Sequence, residues 1–352
     1  MAGSARAVLN RPGADPAAFV ASVGAGFDAA AARVGAIEVD HRIAGRAVRL
    51  RFAGSALVDP LTAALAHVAS AEPGAPDVCV DLFDAASTGV SLPAPPWSWD
   101  AFQARGDIDG FTTETVKVAF DPGTSGLSVF DAATGRACWW VPNATQLPAR
   151  ESSAPLRTLF HWWFETIGLH LVHGAAVGHH GAGVLLAGAG GTGKSSTALA
   201  CLQAGWSFVG DDYCVLDTRG EPAAHSVYCT AKVDDAARAR LPTLAARPGI
   251  ELAHRGKRLL RLWPEFAGQL AREVPIHAVL LPRIGAGPGS ALRPASPTEV
   301  VRGIATSTMR QTPGAGASTW HAATAVARTV PAYVLTLGTD VDAIPDTIAS
   351  VL

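Results

Sequence analysis

Between Gly188 and Ser195 the chain spells G-x-x-x-x-G-K-S, and Asp211 and Asp212 follow Lys194 by 17 and 18 positions. Glycines at 188, 190, 191 and 193 let backbone N–H groups turn toward phosphate oxygens where a side chain would block their approach. Ala189 and Thr192 complete the loop, and Ser196 lies just beyond it. Lys194 supplies positive charge and Ser195 offers a hydroxyl to Mg2+. The helix predicted from Ser195 to Ala204, capped by Gly205, points its positive end at the phosphates. Residues 188–196 are therefore expected to hold the phosphates of ATP or GTP.

The paired aspartates add a second half to that chemistry. A strand expected over Trp206–Val209 runs into Gly210-Asp211-Asp212 and should return beside the loop. One carboxylate can then hold Mg2+, directly or through water, while the other accepts the proton of an attacking hydroxyl. That is the division of labour phosphoryl transfer requires. The basic run Arg255-Gly256-Lys257-Arg258, with Arg261, fits a charge clamp on the transferred group, centred on Lys257 and Arg258, and equally a solvated turn. Lys232, Arg310 and Gln311 are weaker candidates for the same task, with no motif around them. His179 and His180 sit in a predicted turn without a third ligand nearby and read as solvated polar groups rather than a metal site.

These residues need a frame. Val184–Ala187 reads as the strand feeding the loop, with Leu171–Val177 before it, Tyr213–Leu216 continuing past the aspartates, and further strands at Ile276–Leu281 and Ala332–Leu337. Helices are expected near Thr298–Met309 and Ala343–Leu352. Gly285–Ser290 and Thr312–Ser318 read as mobile loops and lid candidates. The segment Pro155–Leu169 sets Leu156, Leu159, Phe160, Trp163 and Ile167 on one helical stripe. Residues 1 to about 150 read as a smaller α+β module: a hairpin over Ala36–Phe52 around Gly45, a helix over Leu57–Ala69, and a strand at Asp77–Phe83. A loop at Ser87–Trp99 follows, then strands at Val116–Phe120, Leu127–Phe130 and Ala137–Val141. Residues 151–352 read as the nucleotide-binding α/β domain.

Composition sets the outer bounds. The chain has 352 residues, 49% hydrophobic and 16% charged, with a formal net charge of −2. That describes a globular protein with a substantial core and no overall basic excess for nucleic acid or an anionic membrane. The five cysteines show no C-x-x-C pair and read as free buried thiols. Pro12, Asp15 and Pro16 interrupt the amino terminus, so no signal-peptide core is expected there, nor an 18-residue apolar run elsewhere, and the expected compartment is the reducing cytoplasm.

From His173 to Asp212 the chain resembles the HPr kinase/phosphorylase family, bacterial serine kinases whose P-loop fold is related to phosphoenolpyruvate carboxykinase. The resemblance rests on His173-Gly174 before two strands, on Gly188–Ser195, and on Gly205-x-x-x-x-Gly210-Asp211-Asp212. It implies an α/β kinase domain over roughly 155–350. It also implies Lys194 and Ser195 at phosphates and metal, Asp211 near the metal, Asp212 as general base, and His173 close to that base. HPr kinases carry glutamate where this chain has Ser196, and the chain is more similar to the related group that includes lasso-peptide kinases. That likeness implies a serine-bearing peptide or protein as acceptor, and the resemblance to HPr kinases implies a homo-oligomer. The residues themselves leave open a small-molecule kinase or a P-loop ATPase or nucleotide switch. For His173, a satisfied core histidine and an orienting partner of Asp212 stay even.

Overall fold

The computed structural model describes residues 15–72, 74–97, 101–103, 105–241, 244, 250–251 and 256–352. Its first sheet grows from the hairpin β1 (Ala36–Ile43) and β2 (Arg46–Ala53), whose turn places Ala44 and Gly45 at φ 50° and 73°. Two left-handed residues in succession give the turn the twist of the strands it joins. β3 (Val78–Asp84), β4 (Asp107–Thr112), β5 (Val116–Asp121), β6 (Gly126–Asp131) and β7 (Arg136–Val141) complete a seven-stranded sheet in the order β1-β2-β3-β7-β6-β5-β4.

A helix at Pro16–Val34 lies on this sheet, where the sequence reading named no element. Asp15 caps it by accepting from the Ala17 N–H at 2.9 Å, proline occupies its first turn, and Gly35 ends it at φ 84°. Phe19, Val23, Phe27 and Ala30 form its buried stripe. The alanines between them give little contrast between faces, which hides the helical period. By length and composition it could cross a membrane, with a mean hydropathy of 1.3, against the expectation that the chain has no such run. In the structure its stripe covers the sheet, and Asp28 pairs with Arg136.

The second sheet is built from β8 (Leu169–Val172), β9 (Gly174–His179), β10 (Ala182–Ala187), β11 (Ser207–Gly210), β12 (Cys214–Asp217) and β13 (Ala223–His225). Three strands stand apart as an antiparallel ribbon: β14 (Thr230–Val233), β15 (Ile250–Glu251) and β16 (Arg258–Arg261). The second sheet resumes with β17 (Glu273–Ile284), β18 (Ala291–Pro294) and β19 (Ala332–Leu337), in the order β11-β9-β10-β17-β13-β12-β8, with β19 on β17 and β18 on β19. β10 runs parallel to β17, and β17 to β19, each pair joined by the long connection that parallel strands require. The whole is a mixed α/β fold.

Between the two sheets lies the helix Arg157–Thr166. The expected stripe was one face, but Leu159, Phe160, His161, Trp162, Trp163 and Phe164 are all buried. The helix touches β6 on one side and β8 on the other, so it has no solvent face to leave polar. One apolar cluster runs through it, from Leu50 and Val80 to Tyr213, Val215 and Tyr228.

Neither lid candidate is a free loop. In Thr312–Ser318 the Trp162 indole donates to Pro313 O at 3.0 Å, Ser318 bonds Glu165, and Arg105 Nη1 donates to Thr312 O at 3.4 Å and Ala315 O at 3.2 Å. In Gly285–Ser290, Thr339 N donates to Gly287 O at 3.0 Å and Asp340 N to Pro288 O at 3.1 Å. Glycine and proline suggested mobile loops there, and both segments are tied to other elements by hydrogen bonds. The helix expected at Thr298–Met309 runs Pro297–Val301 and Ser307–Met309 around a π turn at Arg302–Thr306, and another at Ala317–Thr329 stands where no element was expected. All five cysteines are free thiols, four of them buried and Cys79 half-buried.

Candidate functional site

Two antiparallel strands break at the same level. β8 and β9 are one run interrupted at His173, and β11 and β12 are one run interrupted from Asp211 to Tyr213. Val172 pairs with Cys214 on one side of the break and Ala176 with Gly210 on the other. The expectation of an unbroken Leu171–Val177 thus fails at His173. The interruption releases His173, Asp211 and Asp212 from the alternation of the sheet, and Asp212 takes φ 71°, the left-handed region that aspartate tolerates better than most residues.

The glycine loop stands beside that break. Gly188, Gly191 and Gly193 adopt φ 141°, 85° and 104°, and a Cβ on Gly193 would lie 2.3 Å from Leu337 Cδ1. Ala189, Gly190 and Gly191 form the exposed apex, and Thr192 Oγ1 donates to Ala189 O at 3.0 Å. The helix begins at Lys194, one residue earlier than expected, and runs to Gln203 with no side-chain cap, so its first N–H groups point into the loop. The Lys194 ammonium donates to Gly188 O at 2.8 Å and Ala189 O at 3.0 Å. Burial lowers its pKa, and the nearby Asp211 and Asp212 oppose that shift. Ser196 is half-buried on the same turn.

Ser195 Oγ donates to Asp211 Oδ1 at 2.8 Å, and the Lys232 N–H donates to Asp211 Oδ2 at 3.1 Å. Asp211 is 1% exposed, and burial, then the charge of Asp212, raises its pKa. Asp212 differs. Its Oδ1 meets His173 Nε2 at 3.2 Å and its Oδ2 pairs with the Lys232 ammonium. Burial works against its charge, yet Lys232 and the His173 hydrogen bond outweigh burial and hold this carboxyl far below the usual carboxylate range. His173 is fixed in turn: its Nδ1 bonds Ser307 Oγ, and its N–H donates to Thr308 Oγ1 at 2.9 Å. Tyr213, in edge contact with His173, donates its hydroxyl to Gln311 Oε1 at 3.0 Å.

Thus Lys194, Ser195, Asp211, Asp212 and His173 come together, and Lys232 joins them. Lys257 is near enough for its charge to depress the Lys194 pKa. Arg258 stands across from Val233, one residue out of phase with Lys232, so it leaves the ribbon on the opposite face. It does not join Lys232 at the acids. Arg255 lies outside the described residues, and Arg261 is exposed at the end of β16. Arg310 and Gln311 line a cavity of about 610 Å³ with Arg302, Ser307 and the loop residues Gly188–Gly190. His180 is exposed and His179 stacks on Trp206 at 4.5 Å. Ser307 and Thr308 carried no sequence signal, since they bond a histidine more than a hundred positions earlier.

The donor set fits Mg2+. Ser195 Oγ and Asp211 Oδ1 are hard oxygens already in contact, and a carboxylate whose charge burial disfavours gains from a cation. Among the described residues no group of three or more His, Cys, Asp or Glu forms a metal cluster. Two protein oxygens suit an ion that takes its other ligands from phosphate and water.

No family model and no curated protein matches the chain. Among solved structures it is similar to the HPr(Ser) kinase/phosphatase from Coxiella burnetii, at 14% identity and a TM-score of 0.30, over 51% of this chain and 95% of that one. The likeness is distant, and the chemistry of the site stands on its own geometry.

Proposed function

We propose that the chain is a Mg2+-dependent kinase that transfers the γ-phosphoryl group of ATP or GTP to a hydroxyl, the acceptor being a serine of a peptide or protein. The observation that carries this reading is the contact of Ser195 with Asp211 beneath the glycine loop, with a second carboxylate, Asp212, held beside it by His173 and Lys232.

In this reading the loop N–H groups from Gly188 to Gly193 and the Lys194 ammonium bind the phosphates, and the helix end at Lys194 adds its positive pole. Ser195 and Asp211 would hold Mg2+, which, when bound, neutralises charge on the phosphate oxygens. Asp212 stays ionised across the physiological range because its pKa is depressed. It accepts a hydrogen bond from the acceptor hydroxyl and takes the proton late, as the oxygen–phosphorus bond forms. His173, locked by Ser307 and Thr308, keeps Asp212 Oδ1 in place so that the carboxylate cannot rotate away. We further assign recruitment of the acceptor to the first sheet.

The test is incubation with γ-labelled triphosphate and a panel of serine-containing peptides, alongside cell extract. Label on a peptide or protein serine supports the reading. Label on a small metabolite replaces the peptide acceptor, and label found only in free phosphate replaces transfer with hydrolysis.

A further inference from the structure

Lys232 reaches the two acids from an element that does not carry them. It lies on β14, paired with Leu259 of β16, in the ribbon apart from the sheet that holds Asp211 and Asp212. Its backbone N–H fixes Asp211 Oδ2 at 3.1 Å while its ammonium pairs with Asp212 Oδ2. The two side chains, in contact with each other, are both partly open to solvent, 20% for Lys232 and 22% for Asp212.

We propose that Lys232 is the catalytic cation that receives the transferred phosphoryl group, and that its pairing with Asp212 is the resting position from which it is drawn. The assignment deepens the kinase reading and rests on it. An acceptor oxygen bonded to the carboxylate lies about 2.7 Å from it. The phosphorus that this oxygen attacks is one bond further, and so within reach of the neighbouring ammonium. Among the described residues the other cations of the site are placed differently, Lys257 acting on Lys194. Lys194 is at the loop carbonyls of Gly188 and Ala189, Arg258 leaves the ribbon on the opposite face, and Arg302 and Arg310 line a cavity whose wall does not include Asp212.

The step balances. The acceptor oxygen forms its bond to phosphorus, and the bond from phosphorus to the bridging oxygen breaks with its electron pair left on the nucleoside diphosphate. The hydroxyl proton passes to Asp212. Asp212 thereby loses its negative charge as the phosphoryl oxygens settle beside Lys232, and the ammonium exchanges one anionic partner for another with no charge left unpaired.

Lys232→Met is expected to lower kcat by about 100- to 1,000-fold while the KM for nucleotide stays within about threefold, and Lys232→Arg to restore most of the loss. A second readout needs no acceptor: binding of Mg2+ with ADP alone or with ADP and aluminium fluoride, which mimics a phosphoryl group in flight. The wild-type protein should bind the fluoride complex more than about tenfold tighter than ADP, and Lys232→Met should erase that preference. Should Lys232→Met unfold, comparing Asp212→Asn with Asp212→Asn/Lys232→Met removes the unpaired charge and asks the same question. The proposal is overturned if the lysine variant keeps the fluoride preference or wild-type kcat, if the wild-type protein has no preference, or if the two Asp212 variants bind alike. A wild-type protein that labels no acceptor yet prefers the fluoride complex through Lys232 would end the serine-kinase assignment and leave Lys232 in its role.

Discussion

Asp81 in the first sheet and Asp211 in the second are both aspartates removed from water, at 0% and 1% exposure, and burial raises the pKa of each. Their partners separate them. Asp81 accepts from Arg136 Nε at 2.5 Å and forms an ion pair with Arg51 Nη1 at 3.3 Å. Asp211 receives only a hydroxyl and a backbone N–H, and among the described residues it makes no ion pair. A buried carboxylate with its own cations is a strut; one supplied with neutral donors only is a seat for a cation from outside. Burial alone would have flagged both, and partner chemistry distinguishes them.

Loss of the carboxylate proposed as the base tests the second region first. Asp212→Asn should lower transfer by about 1,000-fold or more while nucleotide affinity stays within a few-fold, measured by steady-state rates and by calorimetry. A variant that transfers at the wild-type rate would remove Asp212 from the chemistry.

The contrast then has a sign. Asp81→Asn leaves Arg136 and Arg51 around a neutral amide and should destabilise the protein by about 3 kcal/mol in urea unfolding. Asp211→Asn removes a charge that burial disfavours, so without ligand its stability should hold or rise, while the thermal shift caused by Mg2+ with nucleotide disappears. Equal destabilisation by the two substitutions would break the comparison.

Much of the second region was legible because its chemistry is written in short stretches. The loop from Gly188 to Ser195 and the pair Asp211-Asp212 each carry type and spacing within a few positions. Lys232 had no such context. It arrives on a strand whose register with β16 decides which face it shows, and that register also turns Arg258 away. Ser307 and Thr308 come from a helix that only the tertiary fold brings to His173. In the first region the strand periods were readable, but Pro16–Val34 was not, since alanine is at home on either face of a helix. The strand at Asp107–Thr112 was missed too, because Gly110 interrupts it at φ 77°.

Both regions share a smaller liability in neutral buried histidines. Burial pushes His41, His67 and His161 down to about 4 from an ordinary 6.5. A histidine whose folded pKa lies below its unfolded value stabilises fully above the unfolded pKa, and that contribution fades as acidity increases toward the folded one. The thermal midpoint should therefore fall between about pH 6.5 and pH 4. His161→Gln should flatten part of that slope, and an unchanged slope would show that His161 takes up its proton without cost.

The smallest expected effect joins the regions. Arg105, two residues before β4, donates through one nitrogen to Met309 O at 2.6 Å and, more weakly, to Thr312 O and Ala315 O. Arg105→Ala should cost about 1–2 kcal/mol and lower kcat severalfold more than it alters nucleotide affinity, because the segment it fastens carries Ser307, Thr308 and Gln311.

That guanidinium also limits what can be exchanged between proteins of this build. If the first sheet recruits the acceptor as proposed, a front half transplanted from another chain would change those contacts, yet unless it offered a donor at the same spot the rear half would lose the tie on the segment behind its histidine. Swapping recognition and keeping turnover are then one engineering problem, solved or failed at a single side chain.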